Sequence, residues 1–446
     1  MKLILDKINI IDHAEIDLNG LTVIVGENNS GKSTVGRILF SLTKALNNTF
    51  DVNAANINNK VRKLLVNLRR RLISEKCEEE YFKDKDKPSN AMHRSYHTTL
   101  EFENDLHSYS SIDEFAKDKN SIIDNLEISP RMKTLLKRDI DNIAVTLKNS
   151  QNKGALFSTE FTSVSESEFL NQLSTEAGSR MRLIMEDGRD SVKIEYTDDN
   201  KTHFIIGNPS GLDDITYIES PLYLHILDLL ANASPYHEMG SRSVSRLRIF
   251  RMVPLHIMDF ANKINSNMDG YSSPSLFDTS IVSDVKDIMG GSFFYDSKMK
   301  AIMFSQNGRE FFPLNVASGI KIFGVLQMLL NGSFIDATKP LVWDEPENHL
   351  HPEWQVQFAK LLVQVSASGI PVMITTHSPY FLQAIRYYAA KEKVEKYVSY
   401  YTSERQESGK VRMIDVSNNL EVVFRRLAEP LNRIMNIDTV RAGLEL

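Results

Sequence analysis

The chain has 446 residues, 42% of them hydrophobic and 25% charged, with a formal net charge of −6 at pH 7. That leaves room for two or three globular domains, or for one domain carrying a large insertion. It excludes a global basic field, so any nucleic-acid contact has to come from local patches. A single cysteine, Cys77, excludes an intramolecular disulfide and a cysteine-based zinc site. The opening MKLILDKINI is interrupted by Lys2, Asp6 and Lys7, which leaves no signal-peptide core. No apolar run approaches the roughly 20 residues of a membrane span. The best, 221–233, is broken by His225 and Asp228. A cytoplasmic protein without a membrane partner is expected.

In chain order, residues 2–25 read as strands, with Asn19-Gly20 between two apolar runs signalling a hairpin. A helix follows from Lys32, with Val35, Ile38, Leu39, Leu42 and Leu46 at helical spacing. From about residue 50 the texture changes. Val61, Leu64, Leu65, Leu68 and Leu72 make one helical stripe, and Leu136, Ile140, Ile143 and Leu147 make another, with a polar stretch between them. Residues 181–206 read as a three-strand meander and 292–314 as a second one. The end alternates: a helix at 318–330, a strand at 340–344, a helix at 352–366, a strand at 371–375 and a helix from 379. A strand pair and a helix near Leu420 complete it. Apolar strands feeding helices suit a mostly parallel sheet covered by helices. The expected class is α/β, with residues 1–50 and 280–446 forming one head. Residues 51–279 are expected as an insertion, helical with a small antiparallel sheet.

Three stretches carry chemistry. Gly26-Glu27-Asn28-Asn29-Ser30-Gly31-Lys32-Ser33, followed by Thr34, fits the phosphate-loop pattern, with an apolar strand before it and a helix after it. Its backbone N–H groups wrap phosphates, Lys32 brings a point charge to the β and γ oxygens, and the Ser33 hydroxyl ligates Mg²⁺. In PLVWDEPE, an apolar strand ends on Asp344, placing a carboxylate at the sheet edge where ligands bind. Asp344 suits Mg²⁺, and Glu345 is placed to orient or deprotonate water. ITTHSP ends a further strand on His377, within reach of the same edge and able to donate to a γ-phosphate.

These residues resemble the ABC-type ATPase heads shared by RecF, the SMC proteins and the OLD-family ATPases of bacteria. The likeness is greatest to the OLD-like group, whose members show a strand ending DEPENHLHP and a later TTHSP. Asp344–Pro352 and Thr375–Pro379 carry both almost verbatim. The resemblance covers roughly residues 1–50 and 290–430. It implies a P-loop head with a mixed sheet, antiparallel meanders and a largely helical insertion, using ATP and Mg²⁺. It also sets Asn315–Lys321 (NVASGIK) where the family keeps its signature loop. Ser318 and Gly319, at a helix start, would then bind the γ-phosphate held by an opposite subunit, with Lys321 assisting. The fuller Leu-Ser-Gly-Gly-Gln form is absent. Asn348, His349 and His351 read as interface and structural residues, with Pro352 opening the next helix; metal ligation by the two histidines is the competing reading.

Absences narrow the choice within that resemblance. There is no Cys-x-x-Cys for a zinc hook, no room for SMC-length arms, and no transporter-like spacing between phosphate loop and signature. The residues after His377 contain no Asp-x-Asp, so a TOPRIM nuclease is expected to be missing. Lys60, Arg62, Lys63 and Arg69-Arg70-Arg71, and a second cluster of Arg242, Arg246, Arg248 and Arg251, read as solvated faces, with DNA phosphate contacts as the alternative. The resemblance implies an ATPase that associates as a homodimer or higher homo-oligomer on ATP and signals to a separate nuclease or toxin in bacterial antiphage defence. A RecF-like DNA-repair ATPase is the competing expectation. A small-molecule kinase would leave Ser318 and His377 without a role.

Overall fold

The computed structural model describes residues 1–50, 111–187, 190–197, 203–205, 212–227, 253–266 and 279–429, less a few single positions, with helical residues near 64–71 and at 433. Cys77, Val61 and Leu72 lie outside the described residues. So do Lys60, Arg62, Lys63, Arg69 and Arg70 of the first basic cluster and all four arginines of the second.

Three strands open the chain: β1 (Lys2–Ile8), β2 (Ile11–Asp17) and β3 (Leu21–Val25), followed by α1 (Lys32–Phe50). After α2 (Ile112–Asn125), α3 (Pro130–Gln151) and α4 (Lys153–Phe169) come β4 (Thr175–Asp187), β5 (Asp190–Thr197), β6 (His203–Ile205) and β7 (Thr216–Ile218). Next are α5 (Leu255–Ser266), α6 (Thr279–Met289), β8 (Ser292–Asp296), β9 (Ala301–Gln306) and β10 (Arg309–Phe311). The chain ends through α7 (Ser318–Asn331), β11 (Leu341–Asp344), α8 (Pro352–Ala367), β12 (Val372–Thr376), α9 (Pro379–Lys391), β13 (Val398–Arg405) and β14 (Val411–Asp415). Residues 421–429 are helical. No helix among the described residues is long and apolar enough to cross a membrane.

The described strands form an eleven-stranded sheet in the order β6-β5-β4-β1-β2-β14-β13-β3-β12-β11-β7, and β10-β9-β8 form a separate three-stranded sheet. Its half containing β13, β3, β12, β11 and β7 is parallel throughout. Every residue of β3 (LTVIV), β7 (TYI), β11 (LVWD) and β12 (VMITT) is buried, as unbroken apolar runs covered on both faces require. Behind β11, the Trp343 and Phe323 rings each meet Phe358 of α8 edge-on at 5.1 Å.

Two details depart from the sequence reading. The Asn19-Gly20 turn does not close a hairpin, because β14 and β13 stand between β2 and β3. Gly20 does take a left-handed φ of +76°, so the turn chemistry is real. A strand buried on both faces takes parallel neighbours on each side, and β3 pairs with β12 and β13. The expected insertion is also divided. The meander β4-β5-β6 extends the main sheet by pairing β4 with β1, and β7 pairs with β11. The chain separates into Met1–Ala45 with Phe161–Leu446, and Leu46–Glu160. Within the second unit Leu65, Leu68, Phe115, Ile123, Leu136, Ile140 and Ile143 pack together, and Arg71 donates to Asp139 and to the Leu135 carbonyl at 3.0 Å.

Candidate functional site

Four adjacent parallel strands bring the motifs to one edge. Val25 stands opposite Thr376, Thr375 opposite Asp344, and Trp343 opposite Ile218. Gly26, His377, Glu345 and Glu219 are therefore the first residues beyond the carboxyl ends of β3, β12, β11 and β7, the edge at which open parallel sheets hold ligands. A cleft of about 630 Å³ is lined there by Ile10, Asn28–Thr34, Glu219, Ser220, Tyr223, Asp344, Glu345 and Asn348.

The loop between β3 and α1 is shaped by Gly31, at φ +82°, where a side chain would press on Ile10 and Ile11 at 3.2 Å. Gly26 donates its N–H to the Thr376 carbonyl at 3.3 Å, tying the loop to β12. Lys32 is only 4% exposed, and its ammonium donates to the Gly26 and Glu27 carbonyls at 2.8 Å each. It lies 3.6 Å from a Glu345 oxygen. Asp344 is oriented by two hydroxyls, accepting from Thr375 on one oxygen and from Tyr217 at 3.3 Å on the other. A Ser hydroxyl and a carboxylate on one cleft wall are hard oxygen donors of the kind Mg²⁺ takes, so Ser33 and Asp344 fit that ion.

Glu345 adopts φ +47°, and its N–H donates to the Thr375 carbonyl at 3.2 Å. Its carboxylate accepts from Asn348 at 3.1 Å and lies 3.3 Å from His377 Nδ1. Burial pushes its pKa up, but the Asn348 hydrogen bond and the nearby His377 and Lys32 outweigh this and hold it below the usual glutamate value. A carboxylate kept ionised beside a lysine and a histidine can accept a proton from water.

Residues 45–383, well over half of the chain, match the family described as AAA domain, putative AbiEii toxin, Type IV TA system. The chain belongs to this family. The match begins downstream of the phosphate loop, which is recognised by its own residues. No curated protein matches the chain. Among solved structures it is similar to the SMC head domain from Thermotoga maritima, at 12% identity and TM-score 0.38, covering 93% of this chain and 98% of that one. It is also similar to an Smc head domain with an extended coiled coil bound to the C-terminal domain of ScpA, derived from Pyrococcus furiosus. There the identity is 10%, the TM-score 0.39 and the coverage 96% and 98%. Likeness at this level transfers neither activity nor partners.

In this AAA-family protein the signature segment is not among the residues lining the cleft. Ser318, half-buried, begins α7 behind Ala317, which makes no side-chain cap. Gly319 packs on Trp354, where a Cβ would meet the ring at 3.0 Å. Lys321 departs from its expected part. Its side chain is buried with its ammonium against His225 Nε2, so its charge is directed there. Burial lowers its pKa. His351 caps α8, its Nδ1 accepting from the Glu353 N–H at 3.4 Å, and His349 takes φ +66°.

Several residues of the site carry little signal in the sequence. Tyr217 and Glu219 belong to a three-residue strand, too short for a periodicity signal. Thr375 and Thr376 sat in plain view in ITTHSP, but only strand register shows that they reach Asp344 and Glu347. Glu347, the last acid of DEPE, was visible as an acid and nothing more.

Proposed function

We propose that the protein binds Mg-ATP in this cleft and hydrolyses it. The supporting observation is the register of β3, β12 and β11, which sets the phosphate loop, Asp344-Glu345 and His377 beyond adjacent strand ends. Lys32 would exchange its two loop carbonyls for β- and γ-phosphate oxygens, while Gly26, Asn28, Asn29, Ser30, Gly31 and Thr34 shape the cradle of N–H groups. Ser33 and Asp344 would hold Mg²⁺, whose charge offsets that of the phosphates. Glu345 would take a proton from the attacking water, and His377 would donate to the γ-phosphate.

Two copies would complete each site. Ser318 and Gly319 lie outside the cleft of their own chain, and the open N-terminus of α7 suits a phosphate presented by another subunit. ATP would thus hold two heads together and hydrolysis release them, a change of shape read by a separate effector. The family description, which names a putative toxin of a toxin–antitoxin system, supports a place in bacterial defence. We assign Met1–Ala45 and Phe161–Leu446 to the head, and Leu46–Glu160 to the insertion.

The test is Glu345→Gln. Its amide cannot accept a proton, so turnover should fall by about 10² to 10⁴-fold while ATP still binds. Sedimentation with Mg-ATP should show an associated species, and Ser318→Arg should prevent it without loss of nucleotide binding. A Glu345→Gln protein that stays monomeric with ATP bound would count against the paired-head reading. DNA dependence of turnover would favour the repair alternative.

A further inference from the structure

We propose that Glu347 is a positioning residue of the hydrolysis site, holding His377 in place through its main chain and its ring; this rests on the ATPase reading above. After Asp344 the chain leaves β11 through a tight turn, with left-handed φ at Glu345 and His349 and bonds from Asn348 N–H to the Glu345 carbonyl at 3.0 Å and from Leu350 N–H to the Glu347 carbonyl at 3.1 Å. The turn folds Glu347 back under the end of β12, where it is 3% exposed.

One carboxyl oxygen, Oε1, does the holding. It accepts from the Thr376 hydroxyl and from the His377 N–H at 3.0 Å, and it lies 3.7 Å from His377 Nδ1. Thr376 Oγ1 in turn accepts from the Ser378 N–H at 3.0 Å, and the Ser378 hydroxyl caps α9 at the Phe381 N–H at 3.2 Å. A single oxygen therefore organises the main chain from the last residue of β12 to the first turn of α9. Glu345 Oε1 is 3.3 Å from the same Nδ1. With Nδ1 set toward two carboxylates, the orientation of the ring is fixed and Nε2 points away from them.

A packing role alone does not account for this side chain. An acid at that depth is costly, and Oε2 has no hydrogen-bond partner among the described residues. Burial raises the Glu347 carboxyl above the usual value despite the bonds from Thr376 and His377. An apolar residue would fill the space without that cost and would leave the His377 N–H unheld.

The experiment uses the full chain with Glu347→Ala, Glu347→Gln and Glu347→Asp. Glu347→Gln keeps an acceptor oxygen in place, whereas Glu347→Asp keeps the acid but withdraws it by one methylene. The kcat for ATP should fall at least about tenfold in Glu347→Ala and Glu347→Asp with KM within about twofold, and stay within about threefold of wild type in Glu347→Gln. Independently of turnover, the ¹⁵N ring signals of His377, identified by their loss in His377→Gln, should move in Glu347→Ala and Glu347→Asp and stay put in Glu347→Gln. If Glu347→Ala does not fold, Glu347→Asp against Glu347→Gln carries the same contrast. Wild-type kcat and unmoved His377 signals in Glu347→Asp, or equal losses in all three variants, overturn the proposal. A wild-type protein without ATP turnover would defeat the ATPase reading, and the ring signals would still decide the role of Glu347.

Discussion

Two clusters of charge lie within the head, and they are composed differently. Beneath α1, Lys44 and Lys263 each pair with both Asp214 and Asp259: Lys44 meets Asp259 at 2.7 Å, and Lys263 meets Asp214 and Asp259 at 2.8 and 3.0 Å. Two cations face two anions, and Lys263 also donates to the Ile215 carbonyl at 2.7 Å. Burial lowers the Lys44 pKa, but the two aspartates outweigh it and raise the value. At the carboxyl edge of β3, β12 and β11, by contrast, the single ammonium of Lys32 leans on carbonyls 3.6 Å from Glu345, with the Asp344 and Glu347 carboxyls at the same strand ends. The first cluster is balanced by its own members and serves the fold. The second holds an excess of acid that a dication relieves and a lysine free to change partners, which is what binding a metal-bound polyphosphate demands.

The largest expected effect comes from unbalancing the first cluster. Asp259→Ala leaves two lysines sharing Asp214, each of the original four side chains being no more than a quarter exposed. Removing one partner from such a network costs about 3–5 kcal/mol. Urea unfolding should show a loss of that size, with nucleotide affinity of the folded protein unchanged. A loss under about 1 kcal/mol would mean the network is solvated and the contrast false. Lys32→Ala should do the reverse. It removes the one side-chain charge directed at the phosphates, so calorimetry should show nucleotide affinity lower by at least about tenfold, or about 1.4 kcal/mol. Folding stability should change by less than that, since the hydrogen bonds of the ammonium go to two neutral carbonyls and its contact with Glu345 is a long one at 3.6 Å. Near wild-type affinity would place the nucleotide elsewhere.

The second cluster was largely legible in the sequence, and the first was not. A phosphate loop, a strand ending in Asp-Glu and a strand ending in Thr-His each need only local order: an apolar run, then a polar residue at its end. Their meeting follows from parallel pairing of β3, β12 and β11, which unbroken apolar runs already implied. Lys44, Asp214, Asp259 and Lys263 are ordinary surface-type residues in sequence, and nothing in their spacing marks them as partners. They meet because β7, three residues long, pairs with β11 and draws its flanks under α1 and α5. The Asn19-Gly20 turn misled for a related reason. Local turn chemistry was read correctly, but the neighbours of β3 are set by burial on both faces.

Glu219 belongs to neither cluster and gives the smallest effect. It lines the cleft at the strand ends, yet Arg37 donates to it at 3.1 Å, Tyr223 at 3.2 Å, and His256 Nε2 lies 3.1 Å away. The imidazole of His256 also faces Glu168 at 2.7 Å, and its pKa is raised because its bonds to the two carboxylates outweigh its burial. The His256 bond is the main reason the Glu219 carboxyl falls from 4.5 to about 2, with Arg37 and Tyr223 adding to it against the burial. The folded value is below the unfolded one, so this group stabilises the fold fully above pH 4.5 and ceases to do so as pH falls through about 2. The side chain is 34% exposed, so solvent screening reduces its contribution to about 1 kcal/mol. Glu219→Gln should therefore be less stable than wild type by about that amount at pH 7, with the gap narrowing as the pH is lowered below 4.5. Urea midpoints at pH 7, 5, 4 and 3 measure it. The same variant should retain nucleotide affinity, because a carboxylate already matched by Arg37 and His256 has little charge to spare for Mg²⁺. A gap that does not change with pH, together with weakened nucleotide binding, would move Glu219 into the cluster that serves the nucleotide.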